Sequence, residues 1–346
     1  MQGVVIHAPE DLRIGTLVAP PLQRNQVRVE VKVGGICGSD LHYFHDGGFG
    51  TVRLREPMVL GHEFAGTIIE LGEDVRHVAV GSRVAVNPSL PCGECHFCRQ
   101  GMHNHCVDMR FMGSAMRFPH VQGGFSQSVV VDASQAILIP ASLTMAEAAM
   151  AEPLAVCLHA AHQAGSMLGR RVLITGSGPI GALSILVARY AGASEIAVTD
   201  IQEFPLAMAV RAGADRVFDT RSDPTGLPRY CEDNGPFDIV IEASGAEAAL
   251  RNAIEAVRPG GTIVQLGLGG SPNVPVNLIV TRELRLVGTF RFDREFVLAV
   301  ELMSAGRIDV KPLITSTLPF AKAFEAFELA SDRSRSMKVQ LDFQER

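Results

Sequence analysis

Four cysteines at short intervals form the most distinctive group of reactive side chains in this 346-residue chain. Cys92, Cys95 and Cys98 have the spacing C-x2-C-x2-C, and Cys106 follows after seven further residues. Thiolates at such intervals can close on one tetrahedral soft metal ion, and four cysteines are a typical ligand set for zinc. Four thiolates leave no open coordination position for a substrate, so the pattern predicts a structural zinc site. A ferredoxin-type iron–sulfur run would have a gap of about three residues before its last cysteine.

A second set of candidate metal ligands is spread more widely along the sequence. Cys37 lies in the segment Cys-Gly-Ser-Asp-Leu-His, His62 and Glu63 are adjacent, and Glu152 precedes a proline. A catalytic zinc ion commonly takes three protein ligands and keeps a fourth position open, which Cys37 and His62 with one carboxylate would provide. However, a lone cysteine is more often a small buried apolar side chain, and a glutamate also suits the first turn of a helix. Spacing alone does not bring these residues together, so both interpretations stay open.

A glycine-rich loop provides a third pattern with a chemical meaning. The loop contains Gly176, Gly178, Pro179, Ile180 and Gly181, follows a predicted strand and opens a predicted helix. In this context G-x-G-x-x-G permits a tight turn, close approach of a pyrophosphate and close packing of helix on strand. The helix N-terminus would supply amide donors to the phosphates. We therefore predict a dinucleotide site that includes these five residues.

The acidic residue expected after such a loop is also present. Asp200 ends the next predicted strand, close to the expected distance of about 20 residues downstream. Its carboxylate can accept hydrogen bonds from the adenosine ribose hydroxyls, and it would repel a 2′-phosphate. No Arg or Lys follows Asp200 immediately, so the sequence favours NAD over NADP. Gly267 and Leu268, which follow a later predicted strand, are assigned to the same cofactor site.

Composition excludes several other classes of protein. The formal charge of −6, from 31 Lys and Arg against 37 Asp and Glu, argues against a nucleic-acid-binding surface. The N-terminal segment lacks the pattern of a signal peptide, and apolar runs end well short of the roughly 18 residues of a membrane span. An odd number of cysteines without a secretory signal indicates a reducing compartment. We therefore expect a cytoplasmic protein in which disulfides are the weaker interpretation of the cysteine cluster.

The elements that must position these residues change in character along the chain. Up to about residue 140, short alternating runs such as Val27–Val33 and Gly66–Glu70 predict a β-rich region. Thr144 and Glu147 have capping-box spacing and predict a helix from Met145, and a second helix is predicted to start at Pro153. The last 55 or so residues return to short mixed elements and are expected to pack on the β-rich region.

Between these regions, apolar strands alternate with helices, which indicates a parallel, doubly wound α/β sheet. Strands are predicted at Arg171–Thr175, Glu195–Asp200, Arg216–Asp219, Phe237–Ala243, Thr262–Leu266 and Leu284–Thr289. Helices are predicted at Pro179–Ala191, Glu203–Ala212 and Ala246–Val257, the last of them stopped by Pro259-Gly260-Gly261.

Taken together, these motifs resemble the zinc-dependent medium-chain dehydrogenases. The resemblance rests on the segment from Cys37 to His42, on Gly61-His62-Glu63, on the four cysteines and on the glycine-rich loop with Asp200, and it covers essentially the whole chain. Within the family the chain is most similar to the polyol and sugar-acid branch. The resemblance implies a discontinuous GroES-like β-rich catalytic domain (residues 1–148 and 288–346, with a zinc lobe at 90–108) and a Rossmann domain (149–287).

The resemblance also implies roles for the metal ligands. Cys37 and His62 would bind a catalytic zinc ion, with Glu63 as the third protein ligand and Glu152 either holding the zinc-bound water or exchanging with it. The alcohol dehydrogenase branch has a cysteine where this chain has Glu152, so the choice between the two carboxylates stays open. The four cysteines match the family's structural zinc, which some sorbitol dehydrogenases lack. Two zinc ions per subunit are therefore expected.

Two substrate contacts and a proton relay are implied in the same way. Arg291 matches a substrate-side arginine whose fork could hold a sugar hydroxyl or a carboxylate, although it could also be a surface or interface residue. Tyr43 could flank the substrate or simply pack in the core. Ser39 would accept the first proton, and His42 would pass it to solvent, since an imidazole can both accept and release a proton.

The resulting hypothesis is hydride transfer between a secondary alcohol carbon and the nicotinamide of NAD, with zinc as a Lewis acid on the substrate oxygen. Alternatives within the same chemistry are an L-threonine 3-dehydrogenase and a sorbitol or butanediol dehydrogenase. A different alternative is a catalytically silent protein that binds NAD and zinc. The expected partners are a small polyol or sugar-acid substrate and further copies of the chain in a homodimer or homotetramer, with no nucleic acid and no membrane.

Overall fold

A computed structural model describes residues 1–232 and 234–344 of the chain. Glu345 and Arg346, the end of the predicted segment 288–346, lie outside the described residues. In the described part, no helix is both long and apolar enough to cross a membrane.

The first part of the chain is built mainly from short strands. They are β1 (Gln2–Ala8), β2 (Asp11–Thr16), β3 (Gln26–Gly35), β4 (Gly48–Phe49), β5 (Val52–Arg53), β6 (Met58–Val59), β7 (Glu63–Leu71), β8 (Arg83–Val86), β9 (Ser89–Leu90), β10 (Arg110–Phe111), β11 (Ser128–Asp132) and β12 (Ala136–Leu138). Helices α1 (Gly38–Asp46), α2 (His96–Arg99) and α3 (Met145–Ala148) interrupt them. Alternation is clear in β3, where Val27, Val29 and Val31 are buried, because successive side chains of a strand point to opposite faces.

The central part alternates helices and strands. Its elements are α4 (Ala151–Ala164), β13 (Arg171–Thr175), α5 (Pro179–Tyr190), β14 (Glu195–Asp200), α6 (Glu203–Arg211), β15 (Arg216–Asp219), α7 (Gly226–Tyr230), β16 (Phe237–Glu242), α8 (Glu247–Ala256), β17 (Val257–Gln265), α9 (Val276–Thr281) and β18 (Arg285–Gly288). Six parallel strands have the order β15-β14-β13-β16-β17-β18. This doubly wound order has its switch point between β13 and β16, where dinucleotides bind in such sheets.

Both faces of this parallel sheet are buried. In β13, Val172 and Ile174 face the apolar cluster that includes helices α4 and α5, whereas Leu173 faces the cluster that includes α8. A strand covered on both faces needs apolar residues at consecutive positions, which explains the continuous apolar run in its sequence. The predicted parallel α/β architecture is therefore confirmed.

Several predicted boundaries in this part differ from the structure, most of them by a single residue. Helix α4 begins at Ala151, two residues before Pro153, because a proline is tolerated anywhere in the first turn, where amides have no intrahelical partner. Strand β17 runs from Val257 through Pro259-Gly260-Gly261, with an irregular register opposite Phe237–Ile239 that accommodates these residues. The sixth strand is shorter than predicted, and α7 and α9 were not predicted.

The final part of the chain adds two strands to the sheet that contains β3. It contains α10 (Glu295–Ser304), β19 (Ile314–Pro319), α11 (Ala323–Ser331) and β20 (Lys338–Asp342). Strand β20 pairs antiparallel with β3, with Gln340 opposite Gly35, and parallel with β19. The resulting seven-stranded sheet has the path β12-β8-β7-β3-β20-β19, with β11 also paired to β3. Residues near the C-terminal end of the described chain therefore reach the end of β3, next to Cys37.

Candidate active site

Three of the predicted catalytic zinc ligands lie together at one end of the seven-stranded sheet. The Sγ atom of Cys37, a ring nitrogen of His62 and a carboxylate oxygen of Glu63 are all within 4.8 Å of one another. Cys37 follows the end of β3, and Glu63 begins β7, which pairs with β3 so that Gly35 is opposite Glu63. A Cβ at Gly35 would lie 2.3 Å from Glu63 Oε2, so any larger residue at this position would displace this carboxylate.

Asp40 joins the two loops that carry Cys37 and His62. Its buried carboxylate accepts hydrogen bonds from the backbone N–H of Cys37 (3.0 Å) and of Gly61 (3.1 Å). Its Oδ1 atom is 3.8 Å from His62 Nδ1, which is buried and has no hydrogen-bond partner among the described residues. Burial raises the pKa of Asp40. The carboxylate therefore fixes the spacing of the two loops that carry Cys37 and His62, although its own burial removes it from water.

Lys338, which the sequence reasoning missed, neutralises Glu63. Its Nζ atom lies 2.8 Å from Oε1 and 2.7 Å from Oε2 of Glu63, and it donates to the carbonyl oxygen of Ile36 at 3.1 Å. Burial alone would lower the pKa of Lys338, but the charges of Glu63 and Cys37 raise it. The two partners are 275 positions apart, so no local pattern could have paired them.

Glu152 approaches the same group from the first turn of α4. Its side chain is buried and lines the cavity beside Cys37 and His62. Burial raises the pKa of Glu152 to about 8; His62 opposes that shift, and the carboxylate of Glu63 adds to it. Glu152 lines the cavity, whereas Glu63, itself one of the converging ligands, is bound to Lys338 and does not line it.

The electrostatics of this group suit a divalent cation. Burial, followed by the negative charge of Glu63, raises the pKa of the Cys37 thiol to about 12. A thiol and three carboxylates, those of Asp40, Glu63 and Glu152, share this buried space with the ammonium group of Lys338. Thiolate, imidazole and carboxylate are the donor types that zinc takes in catalytic sites, and a bound cation would favour the ionised forms that burial opposes. The residues present therefore fit a zinc ion.

A cavity of about 230 Å³ adjoins these ligands and is lined from both parts of the fold. Its walls consist of Cys37, Ser39, Tyr43, Phe49, His62, Phe111, Gly113, Ser114, Met116, Glu152, Val156, Ile180, Leu266, Leu268, Thr289, Phe290 and Arg291. Ile180 and Leu268 come from the predicted cofactor loops, and Leu268 is 81% exposed. The cavity therefore connects the ligand group to the switch point of the parallel sheet.

The other predicted site residues differ in how they face this cavity. Ser39 lines it, whereas His42, three residues later on α1, is exposed and lies 3.3 Å from Asp46. The side chain of Tyr43 is almost fully buried, and its hydroxyl accepts a hydrogen bond from the N–H of Ala115 at 2.9 Å. Tyr43 therefore borders the cavity from the core, and its hydroxyl oxygen accepts a backbone hydrogen bond there.

Arg291 lies on the wall formed by the segment after β18. Its guanidinium lies 4.3 Å from the centre of the Phe111 ring and 4.9 Å from that of Phe290. Its φ is +54°, an unusual conformation for a non-glycine residue. Burial lowers the pKa of Arg291, whereas the charge of Glu152 raises it. This places a cation, held by two aromatic rings, at the cavity wall.

The four predicted structural ligands also converge. The sulfur atoms of Cys92, Cys95, Cys98 and Cys106 lie within 4.8 Å of one another, and each of these residues is a free cysteine. Hydrogen bonds from the backbone N–H groups of Cys98 and Val107 lower the pKa of Cys95 to about 6, while burial raises that of Cys98 to about 12. Four thiols in this arrangement fit a closed tetrahedral zinc site.

The dinucleotide loop has the geometry that the sequence predicts. Gly176 has φ +85°, and a Cβ at Gly181 would lie 1.9 Å from the carbonyl oxygen of Gly176. Gly178 is the N-cap of α5, which begins at Pro179. A Cβ at Gly267 would lie 2.1 Å from the N atom of Gly245, so the neighbouring loop is equally tight. The backbone can therefore approach a pyrophosphate at the N-terminus of α5.

Asp200 ends β14 beneath this loop and is held by several donors. Its carboxylate accepts hydrogen bonds from the backbone N–H groups of Ser177 (2.8 Å), Ile201 (2.7 Å) and Gln202 (3.1 Å). It also accepts one from Nη2 of Arg333 at 2.8 Å. Arg333 follows α11, 133 positions away from Asp200, and no feature of the sequence suggested it.

Comparison with known proteins gives matches over most of the chain. The profile described as the alcohol dehydrogenase GroES-like domain matches residues 23–141, and that of the zinc-binding dehydrogenases matches residues 179–305. The chain is 41% identical over 320 residues to L-idonate 5-dehydrogenase (NAD(P)(+)) of Escherichia coli strain K12, covering 92% of each chain. It is 35% identical over 343 residues to the sorbitol dehydrogenase of Bos taurus, covering 98% of this chain and 95% of that one.

Solved structures give the same result. The crystal structure of L-idonate 5-dehydrogenase from Escherichia coli K-12 superimposes with a TM-score of 0.95 at 39% identity, over 99% of this chain and 98% of that chain. That of 2R,3R-butanediol dehydrogenase from Bacillus subtilis superimposes with a TM-score of 0.89 at 27% identity, over 99% of each chain.

Proposed function

We propose that this chain, which belongs to the zinc-dependent medium-chain dehydrogenases, transfers hydride between a secondary alcohol of a polyol or sugar acid and NAD. The observation that carries this proposal is the meeting of two sites in one cavity. Cys37, His62 and Glu152 line one side of it, and Ile180 and Leu268 of the cofactor loops line the other. Such an arrangement would hold the substrate carbon against the nicotinamide, which carries the hydride chemistry.

The favoured substrate is L-idonate, oxidised to 5-ketogluconate. The identity with L-idonate 5-dehydrogenase supports it, and so does the chemistry of the cavity wall. Arg291 offers a planar fork that can hold a carboxylate through two hydrogen bonds, and Phe111 and Phe290 hold its guanidinium at that wall. A sugar acid would then bind with its carboxylate at Arg291 and a secondary hydroxyl at the ligand group.

The metal ligands have separate tasks in this proposal. Cys37, His62 and Glu63 would hold the catalytic zinc, and Lys338 would fix the carboxylate of Glu63 through its two hydrogen bonds. When bound, zinc would act as a Lewis acid that lowers the pKa of the substrate hydroxyl. Glu152, with a pKa raised by burial to about 8, would accept a hydrogen bond from the water that the substrate displaces, or take the place of Glu63.

Proton transfer would follow helix α1. Ser39 lines the cavity and would accept the hydroxyl proton, and the exposed His42 would release it to solvent. Four thiolates of the lobe would hold a second zinc ion per subunit, which serves structure alone. We also propose the domain division 1–148 with 288–346 and 149–287, and a homodimer or homotetramer in the cytoplasm, where free cysteines stay reduced.

The test is an assay of NADH formation with the purified enzyme against L-idonate, sorbitol, 2,3-butanediol and L-threonine, with and without a zinc chelator. L-idonate is expected to give the highest kcat/KM, and the chelator is expected to abolish turnover. A higher kcat/KM for another alcohol would reassign the substrate within the family. Stoichiometric NADH binding without turnover of any alcohol would contradict the enzymatic proposal altogether.

A further inference from the structure

Arg333 covers the carboxylate that is expected to hold the adenosine ribose. One oxygen of Asp200, Oδ1, accepts from the N–H groups of Ile201 and Gln202. The other, Oδ2, accepts from the N–H of Ser177 and from Nη2 of Arg333, both at 2.8 Å, and from the Ser177 hydroxyl at 3.3 Å. The Asp200 side chain is 3% exposed, whereas that of Arg333 is 45% exposed.

The guanidinium lies beside both Asp200 and the glycine-rich loop. Its Nη2 atom is 4.0 Å from the position of a Cβ built on Gly178, the N-cap of α5. A ribose that binds Asp200 must replace one of the present donors, and Arg333 is the partly exposed one. The other donors belong to the loop and to the strand end, and their positions are set by local backbone geometry.

We propose that Arg333 is a cofactor-binding residue that lets this site accept the 2′-phosphate of NADP as well as the free ribose of NAD. An acidic residue after the second strand normally rejects that phosphate, whereas a nearby arginine accommodates it. Arg333 offsets the charge of Asp200 and, once the ribose binds, has a planar fork free to donate two hydrogen bonds to a phosphate. The prediction of NAD over NADP relied on the residues next to Asp200, whereas the structure supplies the arginine from a distant segment.

The inference rests on the proposed function in one respect, because it requires a dinucleotide at the loop from Gly176 to Gly181. It does not require zinc or turnover. The test is therefore direct binding of NADH and NADPH to the full-length enzyme, measured by calorimetry or by the fluorescence of the bound cofactor. Arg333→Met is compared with wild type, with the charge-preserving R333K, and with Arg335→Met as a matched control. Arg335 lies in the same segment with a side chain that is 73% exposed and only 3.9 Å from Asp332.

Wild type is expected to bind both cofactors, with NADPH within about tenfold of NADH. Arg333→Met should weaken NADPH binding by about tenfold or more, the usual effect of losing hydrogen bonds to a charged group, while NADH binding changes by less than about threefold. R333K should lie between the two, and Arg335→Met should match wild type.

The outcomes separate this inference from the proposed function. An unchanged ratio of the two dissociation constants in Arg333→Met, with NADH binding intact, overturns the inference and leaves the proposed function standing. Equal weakening of both cofactors would show that Arg333 has a structural role, which also overturns the inference. Absence of any dinucleotide binding to wild type contradicts both.

Discussion

Lys338 forms a buried ion pair with Glu63, which is itself one of the candidate metal ligands. The Nζ atom of Lys338 contacts both carboxylate oxygens, at 2.8 and 2.7 Å, and the side chains are 2% and 0% exposed. Both charges are desolvated, so removing one leaves the other uncompensated in the interior. The pair therefore links β20, the last strand along the described chain, to the geometry of the candidate metal site.

Replacing Lys338 by Met is expected to lower the free energy of unfolding by about 3–5 kcal/mol, the usual cost of breaking a buried pair. The carboxylate of Glu63 should also change position in this variant, because Lys338 contacts both of its oxygens in the wild type. Chemical denaturation and zinc analysis of the purified variant would measure the two effects. Lys311→Met is the control, since its side chain is 63% exposed; equal effects from the two variants would contradict the assigned role.

Two cysteine variants should separate the two proposed zinc sites. Cys37→Ala is expected to lose one zinc ion per subunit while NADH still binds. Turnover should fall by about a hundredfold to a thousandfold, the range for other losses of transition-state stabilisation. Cys106→Ser should lose the other zinc ion, and its main effect should be a lower free energy of unfolding. Metal analysis, NADH binding and turnover measure this, with Cys231→Ser as a control outside both clusters. Turnover of zinc-free Cys37→Ala would exclude the metal mechanism.

Arg291→Met should discriminate between acidic and neutral substrates. If the guanidinium holds the carboxylate of a sugar acid, KM for L-idonate should rise by about tenfold to a hundredfold, the range expected for hydrogen bonds to a charged group. KM for sorbitol, which has no carboxylate, should change much less. Steady-state kinetics with both substrates provide the comparison. A parallel rise in both KM values would show that Arg291 shapes the cavity wall without binding a carboxylate.

The acid stability of the protein should depend on Glu295. Its Oε1 atom lies 3.0 Å from Nδ1 of His159 and 2.7 Å from that of His162. Burial would raise its pKa, but hydrogen bonds from both histidines and from the backbone lower it to about 2. A carboxylate with a depressed folded-state pKa stabilises the fold above its unfolded value of 4.5, and this stabilisation is lost as the pH falls towards about 2.

Glu295→Gln should therefore be less stable than wild type near neutral pH, and the difference should shrink as the pH falls through that window. Denaturation at a series of pH values measures it. Glu301→Gln on the same helix, at an exposed position, should show no pH-dependent difference. A constant difference for Glu295→Gln across the window would contradict the assigned pKa.

The sequence predicted the features that depend on neighbouring residues. Apolar runs such as that of β13 and the turn around Gly176 follow from local burial and backbone geometry, and the structure has both. Strand β17 was predicted too short because Pro259-Gly260-Gly261 normally ends an element, whereas an irregular register accommodates it here. Lys338 and Arg333 could not be predicted, since their partners lie 275 and 133 positions away.

The separation of Lys338 from Glu63 has a consequence for biosynthesis. Glu63 is made early, and the ribosome adds the complete parallel sheet before it reaches Lys338 on β20. Because chains fold from the N-terminus during synthesis, the parallel sheet can form while the gap beside β3 is still empty. Glu63 then lacks the ammonium group that neutralises it. In a nascent chain the parallel sheet can therefore form before Lys338 is available to pair with Glu63.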